Sequence, residues 1–123
     1  MNRSMPGGIA DIPPDQLADL LEDVADCFES GRLAWIQHQI GDGVSTACLA
    51  GGIDYCADQL AAVEPWKVTY GAGWYLRRHI GEMSIATWND RPGRSLEEVI
   101  DALKGTAKDI RNMPVEPPPA PKK

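Results

Sequence analysis

This sequence predicts an all-α protein, a small single-domain bundle of four main helices plus one or two short helical turns. Three observations carry that expectation. Apolar residues recur at helical spacing, most plainly Leu17, Leu20, Leu21, Val24 and Phe28, and again Leu96, Val99, Ile100, Leu103, Ala107 and Ile110. Start and stop signals bracket these runs: Ser95 and Glu98 have capping-box spacing before one, and Gly31 follows the other. Long alternations of polar and apolar residues, the mark of half-buried strands, are missing from the chain. A chain of 123 residues suits one domain with a modest core.

Taken in order, residues 1–12 have little periodicity and read as a flexible leader. Pro13-Pro14 opens the first helix, because proline is tolerated in a first turn, and Asp15 complements the positive helix start. Leu33 to Ile40 suits a short helix face and a short strand equally well. Asp42-Gly43 is a turn signal compatible with a hairpin, yet Ala47-Cys48-Leu49 continues better as a helix. Ser45 or Thr46 then caps a helix to about Ala62, with Gly51-Gly52 unexpectedly in its interior. Paired glycines there point to a tight helix crossing, or else to a ligand lying on bare backbone. Pro65-Trp66 begins a connector, and Thr69 caps a helix through Ile80 that Gly81 stops. Ser84 caps a single turn over residues 85–89, and the last helix runs from Leu96 to about Asn112. Residues 113–123 are rich in proline and read as an exposed, disordered tail of polyproline character, which closes a helical domain spanning residues 13–112.

Charge and composition then remove whole function classes. A net charge of −6 and a pI near 4.8 repel phosphate backbones, so no nucleic-acid partner is expected. Asp15, Asp19, Glu22, Asp23 and Asp26 share the first helix and read as a solvated acidic face rather than a DNA mimic. No apolar stretch is long enough for a membrane span, and the first residues lack a signal-peptide pattern. Cys27, Cys48 and Cys56 are odd in number and not closely spaced, which argues against a disulfide framework. Reduced thiols in the cytoplasm fit best, with no metal site and no cofactor expected. Gly71-Ala72-Gly73 lacks the later glycine of a dinucleotide loop, and Gly41-Asp42-Gly43 lacks the Lys-Ser/Thr of a phosphate loop.

Chemistry has two candidate carriers. Cys48, in the first turn of a helix capped by Thr46, occupies the kind of position where a helix dipole activates a thiol. His38 or His79 are its candidate bases, and Asn89 or Asp90 the orienting group of a hydrolase or transferase. Cysteine is also a small hydrophobe that cores bury. Asp90 with Glu82 or Glu97 is the candidate acid–base pair, although carboxylates beside a turn commonly serve as caps. Recognition has a richer set. Four tryptophans stand against one phenylalanine, and an indole carries a donor that favours interfaces. Trp88, with Asn89, Asp90 and Arg94 at the mouth of the last helix, is the first candidate anchor. The competing expectation is that Trp88 plugs the core while Asn89 and Asp90 bind backbone groups.

Trp35 with Gln37, Cys48-Leu49-Ala50-Gly51 and Trp88-Asn89-Asp90 give the chain a recognisable layout over about residues 15–112. It resembles a family of short uncharacterised proteins of actinobacteria and their phages, catalogued as a domain of unknown function. His38 stands where that family more usually has glycine, which counts against a catalytic His38. The resemblance implies a phage or actinobacterial origin and carries no activity with it. The expectation is a phage-type accessory or regulatory protein, of undetermined oligomeric state, acting by contact with a host or phage protein. A cysteine-dependent hydrolase or transferase using Cys48 is the alternative. Trp35, Gln37, Trp88, Asn89 and Asp90 are expected to meet in space.

Overall fold

A computed structural model describes residues 13–42, 44–59 and 65–112. The leader and tail expected at residues 1–12 and 113–123 lie outside the described residues, as does the expected extension of the second helix to Ala62. The described chain is all-α: α1 (Pro14–Ser30), α2 (Leu49–Gln59), α3 (Pro65–Ile80), α4 (Ile85–Asn89) and α5 (Leu96–Asn112). Two short strands, β1 (Ala34–Trp35) and β2 (Thr46–Ala47), lie between α1 and α2. No described helix is long and apolar enough to cross a membrane.

Local signals explain most of the boundaries. α1 starts on Pro13-Pro14 with no side-chain cap and ends at Gly31, whose φ of 84° lets its N–H reach the Phe28 carbonyl. Ser84 Oγ accepts from Thr87 N–H at 3.1 Å and starts α4. Both arms of the capping box close at α5: Glu98 N–H donates to Ser95 Oγ (3.1 Å), and Ser95 N–H donates to Glu98 Oε1 (2.9 Å).

Three boundaries depart from the sequence expectation. The ambiguous stretch from Leu33 is extended at β1, and it pairs with β2 in parallel, so no hairpin forms. That pairing takes up Thr46 and Ala47, and α2 therefore begins at Leu49 rather than directly after a cap at Ser45 or Thr46. α3 begins at Pro65, one turn before Thr69. A proline at the first helical position has its φ preset and lacks an N–H that would have found no partner there.

The core is formed by one face of each long helix, with Leu17, Leu21, Ile53, Leu76 and Leu103 almost completely buried. α1 and α5 are also joined at the surface. Arg111 reaches Asp15 (3.3 Å), Asp19 (2.5 Å) and Glu22 (2.8 Å), and Lys104 reaches Glu29. The acidic face of α1 is therefore only partly left to solvent. The two interior glycines of α2 serve different contacts. A Cβ on Gly52 would lie 2.9 Å from the Phe28 ring of α1, which is the close helix crossing expected. A Cβ on Gly51 would lie 2.6 Å from the Ile40 carbonyl, so this glycine admits the loop between the strands.

Candidate functional site

Between the two parallel strands the described residues, 36–42, 44 and 45, form a loop with no helix, and Asp42 organises it. The Asp42 carboxylate accepts from the backbone N–H groups of Val44 (2.8 Å), Ser45 (2.7 Å) and Thr46 (2.9 Å), and from Ser45 Oγ (2.8 Å). These donors hold its carboxyl well below the usual carboxylate range. Cys48 N–H donates to the Ile40 carbonyl at 3.1 Å and closes the loop on the start of α2.

Asn89, at the end of α4, is completely buried and ties this loop to the rest of the protein. Its Oδ1 accepts from Trp35 Nε1 (2.6 Å) and from the backbone N–H of Leu49 (3.1 Å). Its Nδ2 donates to the Ile36 carbonyl (3.1 Å) and to Asp90 Oδ1 (2.9 Å). All four bonds an amide side chain commonly makes are thereby formed. The Leu49 N–H is one of the donors a helix start leaves unpaired, so Asn89 caps α2 from 40 residues away. Gln37 Nε2 donates to the carbonyls of Asn89 (2.9 Å) and Arg91 (3.1 Å), and Asp90 Oδ1 also accepts from His38 N–H (2.7 Å). Those bonds lower the Asp90 carboxyl, with the His38 N–H as the leading cause and the Asn89 amide next. His38 itself has a left-handed φ of 70°.

Trp35, Gln37, Asn89 and Asp90 thus converge in one hydrogen-bonded knot. Trp88 is beside it, and of its two expected placements, exposed anchor or core plug, it takes the buried one. Only 9% of it is accessible, and the Arg94 guanidinium lies 3.7 Å from its ring centroid while Arg94 Nε donates to the Trp88 carbonyl at 2.9 Å. The indole is drawn inward because its large apolar area gains more from burial than the ring would at the surface.

Cys48 is buried and sits immediately before α2, where its Sγ accepts from Gly51 N–H at 3.4 Å. Among the described residues neither imidazole is hydrogen-bonded to it. His79 Nδ1 pairs with Asp109 at 2.7 Å, and the side chain of His38 is largely exposed, 4.0 Å from Asp90. Gly105 makes the His79–Asp109 contact feasible, since a Cβ there would fall 2.7 Å from the imidazole. Glu82 pairs with Arg91 and Glu97 lies exposed in the first turn of α5, so among the described residues neither forms a carboxylate pair with Asp90. No group of three or more potential metal ligands occurs among the described residues.

A second surface lies on the outer side of α2, and the sequence reading missed it. Two open clefts, of about 480 and 470 Å³, meet at Asp54 and Asp58. One is walled by Ile40 and Val44 of the loop, the other by Trp66 and Tyr70 of α3. Ile40, Val44 and Trp66 are 59%, 73% and 52% exposed, unusual values for such side chains clustered together. Burial and the neighbouring Asp58 charge push the Asp54 carboxyl upward, against a hydrogen bond from Thr69. The signal in the sequence was the i, i+4 pair Asp54/Asp58 beside Pro65-Trp66. It was obscured because Trp66 read as part of a connector.

Over residues 12–109 the sequence matches a family of unknown function, DUF6197, and the chain belongs to that family. No curated protein and no solved structure matches it.

Proposed function

We propose that this protein is an accessory or regulatory factor that acts by binding another protein, and that the outer face of α2 is where it does so. The partner segment is basic and carries an aliphatic or aromatic anchor. One observation carries the reading: two clefts meet over the Asp54/Asp58 pair and are flanked by the exposed Ile40, Val44 and Trp66. Apolar anchors beside a concentrated charge of one sign suit a partner that supplies the opposite charge. A cation over Asp54 would also offset the burial and the Asp58 charge that together raise its carboxyl. The Trp88-Asn89-Asp90 motif supports this face indirectly, by fixing the loop that presents Ile40 and Val44. The resemblance drawn from these motifs adds a phage or actinobacterial setting, in which the partner is a host or phage protein.

Binding to an array of short cationic peptides, each with a central Leu or Phe, tests the reading against the same array with Glu in place of Lys and Arg. The cationic set should be retained, and about 0.5 M NaCl should weaken retention by screening. Trp66→Ala and the double variant Asp54→Asn/Asp58→Asn should each reduce affinity by roughly tenfold, about 1.4 kcal/mol. Equal retention of the acidic array, or variants that bind as the wild type does, would overturn the proposal.

A further inference from the structure

Cys27 of α1 and Cys56 of α2 are 29 residues apart in sequence, and their sulfurs are 3.9 Å apart. Both are free thiols, 8% and 5% accessible, and they lie on the wall of an open cavity of about 500 Å³. Asp23, Asp26, Arg32 and Tyr55 also line that cavity, so small polar solutes reach the sulfurs. Two thiols alone do not complete a metal site, and no third ligand joins them among the described residues. What two sulfurs in contact can do is bond to each other. A disulfide needs them about 2.05 Å apart, so each would move by about 1 Å.

We propose that Cys27 and Cys56 are a site of oxidative modification, at which a hydroperoxide converts the two thiols to a disulfide joining α1 to α2 and a small-molecule thiol reverses it. Either sulfur can start the reaction. Burial, with the neighbouring Cys27 next, pushes the Cys56 thiol up to about 12. One of the two, as its thiolate, attacks the peroxide oxygen, the O–O bond breaks, and the departing oxygen leaves as water or an alcohol once protonated. That cysteine is now a sulfenic acid. The other thiol then loses its proton and attacks the sulfur of the sulfenic acid. The S–S bond forms, the S–O bond breaks, and the hydroxide takes that proton to become water. The two thiols have lost two electrons, and the peroxide has gained them.

The test treats the wild-type protein with hydrogen peroxide, alkylates it under denaturing conditions, and maps its digest by mass spectrometry without reduction. Of its three thiols, only Cys48 should remain open to alkylation. One peptide pair should appear joined through Cys27 and Cys56, lighter by two hydrogens than its parts, and dithiothreitol should restore all three thiols. The Cys48→Ser variant should form the same bond. Unchanged alkylation at Cys27 and Cys56, a bond through Cys48, or sulfinic acid on one of the pair beside an intact thiol on the other would each overturn the proposal. The wild-type map decides the matter without relying on any variant's folding.

Discussion

Asn89→Ala should destabilise the protein by about 2–4 kcal/mol, because one side chain satisfies groups from three separate segments. Its removal leaves the Leu49 N–H unpartnered in a buried position, which alone costs roughly 1–3 kcal/mol. It also frees Trp35 Nε1 and the Ile36 carbonyl. Those two residues are half-buried, so water entering the vacated space recovers part of their bonding, and the total stays below the sum of three full penalties. Asn89→Asp sharpens the argument because it changes almost no volume. One oxygen still accepts from Trp35 and Leu49, but the other has no proton to offer the Ile36 carbonyl and faces the Asp90 carboxylate. Its loss at neutral pH should equal or exceed that of the alanine variant. Burial and the Asp90 charge raise the folded-state pKa of the new carboxyl above its unfolded value near 3.9. The variant's penalty relative to the wild type should therefore grow as pH rises through that window, and shrink as pH falls toward 4. Urea denaturation followed by circular dichroism, run from about pH 4 to 7, reads all of this. An alanine variant within about 0.5 kcal/mol of the wild type, or an aspartate variant equally stable at both ends of the range, would refute the claim that Asn89 is the knot.

Substitutions at Gly51 and Asp42 test the loop that Asn89 holds, with Gly73 as the contrasting position. Gly51→Ala puts a Cβ against the Ile40 backbone carbonyl and should cost about 1–3 kcal/mol, whereas Gly73→Ala on α3 meets only ordinary contacts and should gain about 0.5–1 kcal/mol from helix propensity, both read by urea midpoints. Asp42→Ala should accelerate hydrogen exchange at Val44, Ser45 and Thr46, whose amides it now binds. The Asp42 carboxyl is depressed by folding, so its contribution is complete above its unfolded value near 3.8 and disappears as pH falls through the folded one. The stability difference between the wild type and Asp42→Ala should be full at pH 6 and shrink below about pH 4; a difference that persists in acid would exclude the carboxylate as its source.

The helices were legible where the signal is local. Gly31 in a left-handed conformation, Ser84 over Thr87 and the Ser95–Glu98 box all involve residues within four positions of each other, and the chain stated them outright. Pro65 misled because proline marks both a connector and a first helical turn, and the choice depends on the packing of the residues after it. The parallel pair Ala34–Trp35 with Thr46–Ala47 was illegible, since two residues per strand leave no alternation to detect. For the site, the residue types in Trp88-Asn89-Asp90 allowed either an exposed anchor or a plugged core with capping polar groups. Packing chose the second for the indole and gave Asn89 its distant partners.

By itself, then, the sequence determined an all-α protein and the starts and stops of α1, α4 and α5, because these rest on periodicity and near-neighbour bonding. Only the tertiary structure decided that Asn89 caps a helix 40 residues away, that Cys27 and Cys56 touch, and that Ile40, Val44 and Trp66 gather around two aspartates. Each of those joins segments remote in the chain, and their meeting is fixed by how helix faces pack against each other rather than by any spacing along the backbone.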